Sequence, residues 1–215
     1  MKNMLIILAN FVLGAIPWAV IIGHMFRGDD ITRYGDHNPG TYNALRAGGV
    51  KLAAPALVLE VGKGFVAGSL AKALVAAVPQ TPAWVWVAAV VAPIAGHGFS
   101  PFLGFWGGKA LAVTFGVWAA IAPLPVALSY AGMLCLQELT WRRAADALKV
   151  GLAMLVMGNF IWITRLPRTY VLAWAINLAI LIFKQWQYET LFVNSEVRYA
   201  PGLNDEMPRR RVRRA

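Results

Sequence analysis

Residues 4–26 read MLIILANFVLGAIPWAVIIGHMF, a nearly unbroken apolar stretch that follows Lys2. A helix needs roughly 20 consecutive apolar residues to cross the hydrocarbon core of a bilayer, so this stretch is long enough to span. No small-residue cleavage site ends it, which favours a retained membrane helix over a secretory signal peptide. Six further apolar runs follow, near residues 53–78, 82–96, 110–122, 125–138, 147–163 and 169–183.

The composition of the whole chain agrees with membrane insertion. Of the 215 residues, 59% are hydrophobic and only 14% are charged, which is far from the balance of a soluble domain. Helices are the only spanning form compatible with such continuous apolar runs, so we predict an all-α polytopic membrane protein of about seven transmembrane helices. The runs at 82–96 and 110–122 are short, and we expect tilt or a re-entrant course there.

The connections between the apolar runs alternate in character. Those that carry most of the loop Lys and Arg residues are 27–52, 97–109 and 139–149, whereas the links 79–81 and 122–125 carry no charge. The positive-inside rule places the charged loops and the C-terminus in the cytosol, and the N-terminus outside. Arg165 and Arg168 would lie on the outer side. They count against this assignment, but most basic loop residues still lie on the cytosolic side.

The net charge of +10 owes much to an arginine-rich tail between Arg209 and Arg214. Anionic lipid headgroups explain such a tail better than nucleic acid does, so no nucleic-acid partner is predicted. We predict a single transmembrane domain over residues 1–198 and a basic cytosolic tail over residues 199–215. The single Cys135 excludes an intrachain disulfide and a cysteine metal site.

The first charged loop contains Tyr34-Gly-Asp-His-Asn-Pro-Gly-Thr-Tyr-Asn-Ala-Leu-Arg46, which is rich in glycine, amide and hydroxyl groups. Such residues favour turns that expose backbone N–H groups, and Arg46 offers a planar fork suited to a phosphate or a carboxylate. The pattern predicts an anion-binding loop. An ordinary turn followed by an interfacial arginine remains the alternative.

The second charged loop reads Gly96-His-Gly-Phe-Ser-Pro-Phe-Leu-Gly-Phe-Trp-Gly-Gly-Lys109 and leads into an apolar run. Glycines let an anion approach the N–H groups at a helix N-terminus, and Lys109 adds a full charge there. A nucleotide P-loop would need glycine at Leu103 and Ser or Thr at Ala110, so ATP binding is not indicated.

Ionisable residues also occur inside the apolar runs. Glu60 and Lys63 are three residues apart, and this spacing allows an ion pair on one helix face. The pair is either purely structural or a polar wall of the site, since charges at membrane depth are costly. His24 and Asp29 have the His-x4-Asp spacing of one acyltransferase class, but the other sequence blocks of that class are missing and the match is interpreted as coincidence.

The two loops together, in this order, resemble the acyl-phosphate:glycerol-3-phosphate acyltransferase family called PlsY. The Gly-His-x-x-Pro-x-Phe-Leu-Gly-Phe-Lys-Gly-Gly-Lys-Gly block of that family is similar to Gly96 to Ala110, and its opening Gly-Ser-Ile-Pro is similar to Gly14 to Pro17. Its Asp-x-x-Lys-Gly is similar to Glu60 to Gly64. Its first loop is matched at Gly35, Asn38, Gly40, Asn43 and Arg46. The C-terminal His-x-x-Asn-Ile-x-Arg-Leu block of the family can be aligned with Lys184 to Leu191, which places Gln187 at the position of the family asparagine.

The resemblance implies a bacterial inner-membrane enzyme with seven helices and a cytosol-facing site. Its substrates would be a fatty acyl phosphate and glycerol 3-phosphate, its product would be lysophosphatidic acid, and no metal or coenzyme would be needed. The implied catalytic residues are Arg46, Lys109, Asp36 and His97. The implied substrate-binding residues are Asn38, Gly40, Thr41, Asn43, Gly107, Gly108 and Gln187.

Several positions depart from the family pattern. Asp36 stands at the family serine, His37 at a glycine, Trp106 at the lysine before Gly-Gly, and Ala110 at the glycine after Lys109. A carboxylate beside a phosphate site is unfavourable, so a second hypothesis remains open. It is a non-catalytic membrane protein on the same scaffold, which binds lipid phosphates or carries an anionic solute.

Overall fold

The computed structural model describes residues 2–78, 81–141 and 144–190. In these residues all regular structure is helical, and each of the seven predicted apolar runs forms helix, which confirms the all-α membrane fold. Two single 3-10 turns lie at Ile31–Arg33 and Pro101–Leu103. The predicted tail at 199–215 falls outside the described residues. The α-helices are α1 Lys2–Ala15, α2 Trp18–Arg27, α3 Thr41–Gly48, α4 Val50–Ala77, α5 Ala83–Gly98, α6 Leu111–Ile121, α7 Leu124–Thr140, α8 Asp146–Ile163 and α9 Arg168–Tyr188.

The first apolar run is one membrane-length stretch broken into α1 and α2 at Pro17. Proline has no N–H group and clashes with the preceding turn, so the helical hydrogen bonds are interrupted there. The released backbone groups are paired by side chains from neighbouring helices, as a membrane interior requires. Lys63 donates to the Ile16 carbonyl at 2.6 Å, and Ser100 donates to the Ala15 carbonyl at 2.7 Å.

Four helical stretches of the described chain are long and apolar enough to cross a membrane. They are Asn3–Arg27, Ala83–Leu103, Asp146–Ile163 and Arg168–Tyr188. The run near 110–122 yields only the 11 residues of α6, too short to span unaided. This helix is enclosed by the others, since Val113, Val117 and Trp118 are fully buried.

The first charged loop is more helical than the sequence predicted. Residues 27–52 were predicted to be a charged loop, but Thr41–Gly48 forms α3 and α4 begins at Val50. Gly40, in extended backbone, precedes α3, and its carbonyl accepts from the amides of Asn43 and Ala44. Ala44 and Ala47 are buried, so packing against α2 and α4 supports a helix that is too short to be stable alone.

Glycines at the helix crossings bring backbones into direct contact. A Cβ on Gly64 of α4 would overlap the Val113 carbonyl of α6, and a Cβ on Gly116 of α6 would overlap the Val61 carbonyl of α4. This close approach is typical of membrane helix pairs. It positions α4, which carries Glu60 and Lys63, against the helix that follows Lys109.

Candidate active site

Three connections meet at one end of the bundle, between α2 and α3, between α5 and α6, and between α7 and α8. The ammonium of Lys109 lies 2.8 Å from Asp36 Oδ2 in the first connection and 2.8 Å from Asp146 Oδ2 at the start of α8. The end of α9 joins them, because the Tyr188 hydroxyl donates to the Gly107 carbonyl at 3.0 Å. The three charged loops that were predicted to share a face therefore lie together.

Lys109 lies at the centre of these contacts. Its side chain is buried, and its ammonium also lies 5.7 Å from the centroid of the Tyr188 ring. Burial lowers the pKa of Lys109, but the carboxylates of Asp36 and Asp146 outweigh it and raise that pKa above the ordinary value. Lys109 therefore stays protonated, and its single positive charge already faces two carboxylates.

Asp36 organises the first loop as well as contacting Lys109. Its Oδ1 accepts from Asn43 Nδ2 at 2.9 Å and from the Asn38 amide at 3.3 Å, and Asn43 also donates to the Asn38 carbonyl at 2.8 Å. Burial raises the pKa of Asp36, but the Lys109 ammonium outweighs burial and holds that pKa below its usual value. The predicted conflict between a carboxylate and the anion site is thus reduced by an ion pair.

Arg46 lies next to this ion pair. Its guanidinium carbon is 4.9 Å from the centroid of the Tyr42 ring, and the guanidinium occupies the space where a side chain at Gly35 would lie. Gly35 has φ +59°, a conformation that favours glycine. Arg46 is exposed and forms no salt bridge within the described residues, so its charge is available to a ligand. Thr41, partly buried, opens the same helix α3.

Behind the loops, His97 belongs to a buried triad with Glu60 and Lys63. Glu60 Oε2 lies 2.7 Å from the Lys63 ammonium and 3.1 Å from His97 Nδ1, and the Lys63 ammonium is 3.0 Å from the same nitrogen. The predicted pair of Glu60 and Lys63 is confirmed. It holds the break of the first span on one side and the imidazole on the other, which is a structural role, and its function as a polar wall of the site stays a prediction.

Gly107 and Gly108 have no room for a side chain. A Cβ on Gly107 would overlap the His97 carbonyl, and a Cβ on Gly108 would lie 2.5 Å from His97 Nε2 and 3.0 Å from Asn38 Oδ1. The prediction that exposed glycine N–H groups bind an anion needs correction at two positions. The Gly108 amide donates to the His97 carbonyl and the Gly40 amide donates to the Asn38 carbonyl, so these two donors are already used by the backbone.

The space at Gly108 gives a testable expectation. For the reaction that the family resemblance implies, Gly108→Ala should lower kcat/KM about 10- to 100-fold, because a displacement of reacting groups by about an ångström costs on that order. Steady-state kinetics of the implied acyl transfer would measure the effect. Gly132→Ala is the matched control, since a Cβ there meets nothing within 4 Å. Equal activity of the two variants would show that the spacing between His97 and Asn38 is unimportant.

Lys184 is a site residue that the sequence analysis did not select. It is fully buried, donates to Gln187 Oε1 at 2.6 Å, and forms no salt bridge within residues 2–78, 81–141 and 144–190. Its ammonium lies 5.4 Å from the centroid of the Tyr188 ring, which is 5.7 Å from the Lys109 ammonium. The signal that could have found it was a lone cation at the end of an apolar run.

The structure shows the surroundings of Ala110 and Trp106, two residues that depart from the family pattern. Ala110 has φ +58° directly before α6, a left-handed conformation that glycine adopts at no steric cost. Trp106 is half exposed at the rim. The interpretation of the His24 and Asp29 spacing as coincidence agrees with the contacts. Asp29 accepts a 2.5 Å hydrogen bond from the Tyr34 hydroxyl, and the described residues show no hydrogen bond between Asp29 and His24.

Comparison with known proteins gives a consistent result. The family model described as glycerol-3-phosphate acyltransferase matches residues 4–193. A protein named glycerol-3-phosphate acyltransferase from Anaeromyxobacter sp. (strain K) is 34% identical over 180 residues, covering 83% of this chain and 87% of the relative.

The fold is similar to that of a crystallised protein, PlsY, described as an integral membrane glycerol 3-phosphate acyltransferase. Its glycerol 3-phosphate form superposes with a TM-score of 0.75 at 23% identity, over 93% of both chains. Its lysophosphatidic acid form superposes with a TM-score of 0.73 at 22% identity, again over 93% of both chains. At this identity the likeness supports the fold.

Proposed function

This chain belongs to the glycerol-3-phosphate acyltransferase family, and from that premise we propose that the cluster around Lys109 transfers a fatty acyl group from acyl phosphate to glycerol 3-phosphate. The product is lysophosphatidic acid, so the enzyme works in phospholipid biosynthesis. The protein is a multi-pass integral membrane protein. The acyl chain therefore stays in the bilayer while both phosphates bind at the polar end of the bundle.

The observation that carries the proposal is the placement of two cations around one loop. Asp36 contacts the ammonium of Lys109, and the preceding Gly35 makes room for the guanidinium of Arg46. Arg46 has no anionic partner in the part of the chain that the structure describes, and its planar fork fits a phosphate in two-point contact. We assign Arg46 to the phosphate of glycerol 3-phosphate.

The chemistry requires positioning and charge stabilisation. The glycerol hydroxyl oxygen attacks the acyl carbon, the bond from that carbon to the phosphate oxygen breaks, and phosphate leaves with the electron pair. The departing phosphate takes up the hydroxyl proton, so the step balances with the two substrates. Lys109, with Lys184 and Gln187, supplies cationic and amide donors for the negative charge that grows on the leaving phosphate.

The remaining predicted residues are assigned supporting roles. His97 Nε2 and Asn38 Oδ1 flank the bare Cα of Gly108 and would contact the reacting groups there. Asn43 holds Asp36, and through it the position of Lys109. Gly40 and Thr41 form the start of α3, Gly107 packs on the His97 carbonyl, and Asp36 orients Lys109 without contacting substrate.

We assign the site to the cytosolic side of the bacterial inner membrane. The support is the concentration of basic residues in the connections at this end, which the positive-inside rule favours for the cytosol. The same rule places the N-terminus outside. Residues 1–198 are proposed to be one domain, and the basic tail at 199–215 is proposed to contact anionic headgroups.

Turnover by the purified protein tests the proposal. Phosphate release from acyl phosphate should depend on glycerol 3-phosphate and match the formation of lysophosphatidic acid one to one. The second hypothesis is a non-catalytic protein that binds phosphates. It is supported by the carboxylates of Asp36 and Asp146, which already form salt bridges with Lys109. Saturable binding of glycerol 3-phosphate without any product would support that hypothesis and overturn the enzyme assignment.

The two carboxylates on Lys109 lead to a prediction. Asp146→Asn should lower KM for the phosphate substrates about 3- to 10-fold, because removing one partly exposed anion changes a nearby charge interaction by roughly 1 kcal/mol. Kinetics at low ionic strength would measure it. Glu138→Gln is the control, since Glu138 pairs with Lys149 and is itself similarly exposed. An increase of KM in Asp146→Asn would mean that Asp146 positions Lys109 productively.

A further inference from the structure

The hairpin between α8 and α9 lies at the end of the bundle opposite the active site. Asp146 at the start of α8 and Tyr188 at the end of α9 both contact site residues. Because α8 has 18 residues and a helix rises 1.5 Å per residue, the hairpin is roughly 27 Å away. The residues of this end have no role in the proposed reaction.

A groove of about 310 Å³ opens between α8 and α9 near this hairpin, and it is mainly apolar. Its walls include Leu155, Trp162, Val171 and Trp174. Trp174 is fixed, because its Nε1 donates to the Met154 carbonyl at 2.8 Å, whereas Trp162 is 81% exposed. Gly158 creates part of the space, since a Cβ there would lie 2.9 Å from the Trp174 ring.

Two arginines stand at the hairpin end of the groove. Arg165 and Arg168 are exposed, and neither forms a salt bridge within the described residues. The Arg165 amide donates to the Trp162 carbonyl at 3.0 Å, so this arginine is tied directly to the groove wall. The described acidic residues lie toward the other end or mid-bundle; they are Asp29, Asp30, Asp36, Glu60, Glu138, Asp146 and Glu189.

We propose that this groove binds one anionic phospholipid of the surrounding bilayer. An acyl chain lies in the groove between Trp162 and Trp174, and the headgroup phosphate lies on Arg165 and Arg168. The groove faces the bilayer and is lined by apolar and indole groups, as expected for a lipid chain near the membrane interface. Two guanidinium groups, neither of them in a salt bridge with a described residue, stand at its polar end and complement the phosphate of a net negative headgroup. The site also explains why Arg165 and Arg168 occur on the outer side of the membrane, where the positive-inside rule predicts few basic residues.

Native mass spectrometry of the full-length protein, titrated with phosphatidylglycerol or with phosphatidylcholine of the same acyl chains, tests the proposal. One phosphatidylglycerol should bind about tenfold more tightly than phosphatidylcholine. The double variant Arg165→Gln/Arg168→Gln should bind the two lipids equally well, while Lys51→Gln, an exposed charge at the opposite end, should keep the preference. Both arginines are exposed, so the lipid-free melting temperature should not change.

Two further measurements distinguish a bound lipid from other ligands of the groove. Val171→Trp should fill the groove and weaken binding of long-chain phosphatidylglycerol, and inorganic phosphate at the same concentration should not compete. The proposal is overturned if wild type shows no preference for the anionic lipid, if the double arginine variant retains the preference, or if inorganic phosphate displaces the lipid. Because acyl transfer is measured separately, none of these results bears on the proposed reaction.

Discussion

Lys109→Ala is expected to lower kcat/KM for acyl transfer about 100- to 1,000-fold, the usual cost of removing one preorganised electrostatic contact from a transition state. Lys109 is the residue on which the first loop, the start of α8 and the Tyr188 ring converge. Its removal takes away a buried positive charge and leaves Asp36 facing the phosphates. Steady-state kinetics with acyl phosphate and glycerol 3-phosphate would measure the loss.

Two controls separate catalysis from folding in this experiment. Lys72→Ala removes an exposed lysine near the far end of α4 and should leave the kinetics unchanged. Lys109→Arg keeps the charge in a different shape and should recover part of the activity. If Lys109→Ala remains within threefold of wild type, Lys109 does not contact the reacting phosphates.

Glu60→Ala should have the largest effect on stability, reducing the free energy of unfolding by about 3–5 kcal/mol, because it leaves a buried ammonium unpaired. Glu60 is 1% exposed, contacts Lys63 and His97, and its Oε1 accepts from the Ala19 amide at 3.2 Å. The variant therefore disturbs the break in the first span as well as the triad. Thermal unfolding in detergent would measure the change.

The control for Glu60→Ala is a partly exposed carboxylate. Asp29 accepts from the Tyr34 hydroxyl and from the Asp30 amide, so Asp29→Asn weakens only local hydrogen bonds and should shift the melting temperature much less. Glu60→Gln should be intermediate, since its one amide oxygen can still accept from either Lys63 or Ala19. Equal melting temperatures for Glu60→Ala and Asp29→Asn would mean that the buried triad contributes nothing to stability.

The membrane helices could be predicted from the sequence because hydrophobic runs are local signals. The gathering of charged loops could be predicted from their alternation, and the pair of Glu60 and Lys63 from helical spacing. These inferences need no knowledge of which helices pack together. They succeed because few backbone structures can satisfy all their hydrogen bonds inside a bilayer.

The missed features depend on contacts between distant parts of the chain. Asp146 reaches Lys109 only after α7 packs beside α6 and α8 packs beside α7, and no spacing rule links residues 37 positions apart. The glycine N–H groups were expected to bind a ligand, but Gly40 uses its N–H in a local turn and Gly108 donates to the His97 carbonyl. Glycine here therefore serves mainly to leave space. The helix α3 also depends on tertiary packing, since its eight residues carry glycine, threonine and asparagine.

The account rests on two cations at the polar end of the bundle, Arg46 for the phosphate of glycerol 3-phosphate and Lys109 for the leaving phosphate. Stabilisation of the purified protein by glycerol 3-phosphate, compared with glycerol at equal concentration, tests the first assignment most directly. We expect glycerol 3-phosphate to raise the melting temperature of wild type, glycerol to have no effect, and the shift to disappear in Arg46→Ala. A shift of the same size in wild type and in Arg46→Ala would contradict the account.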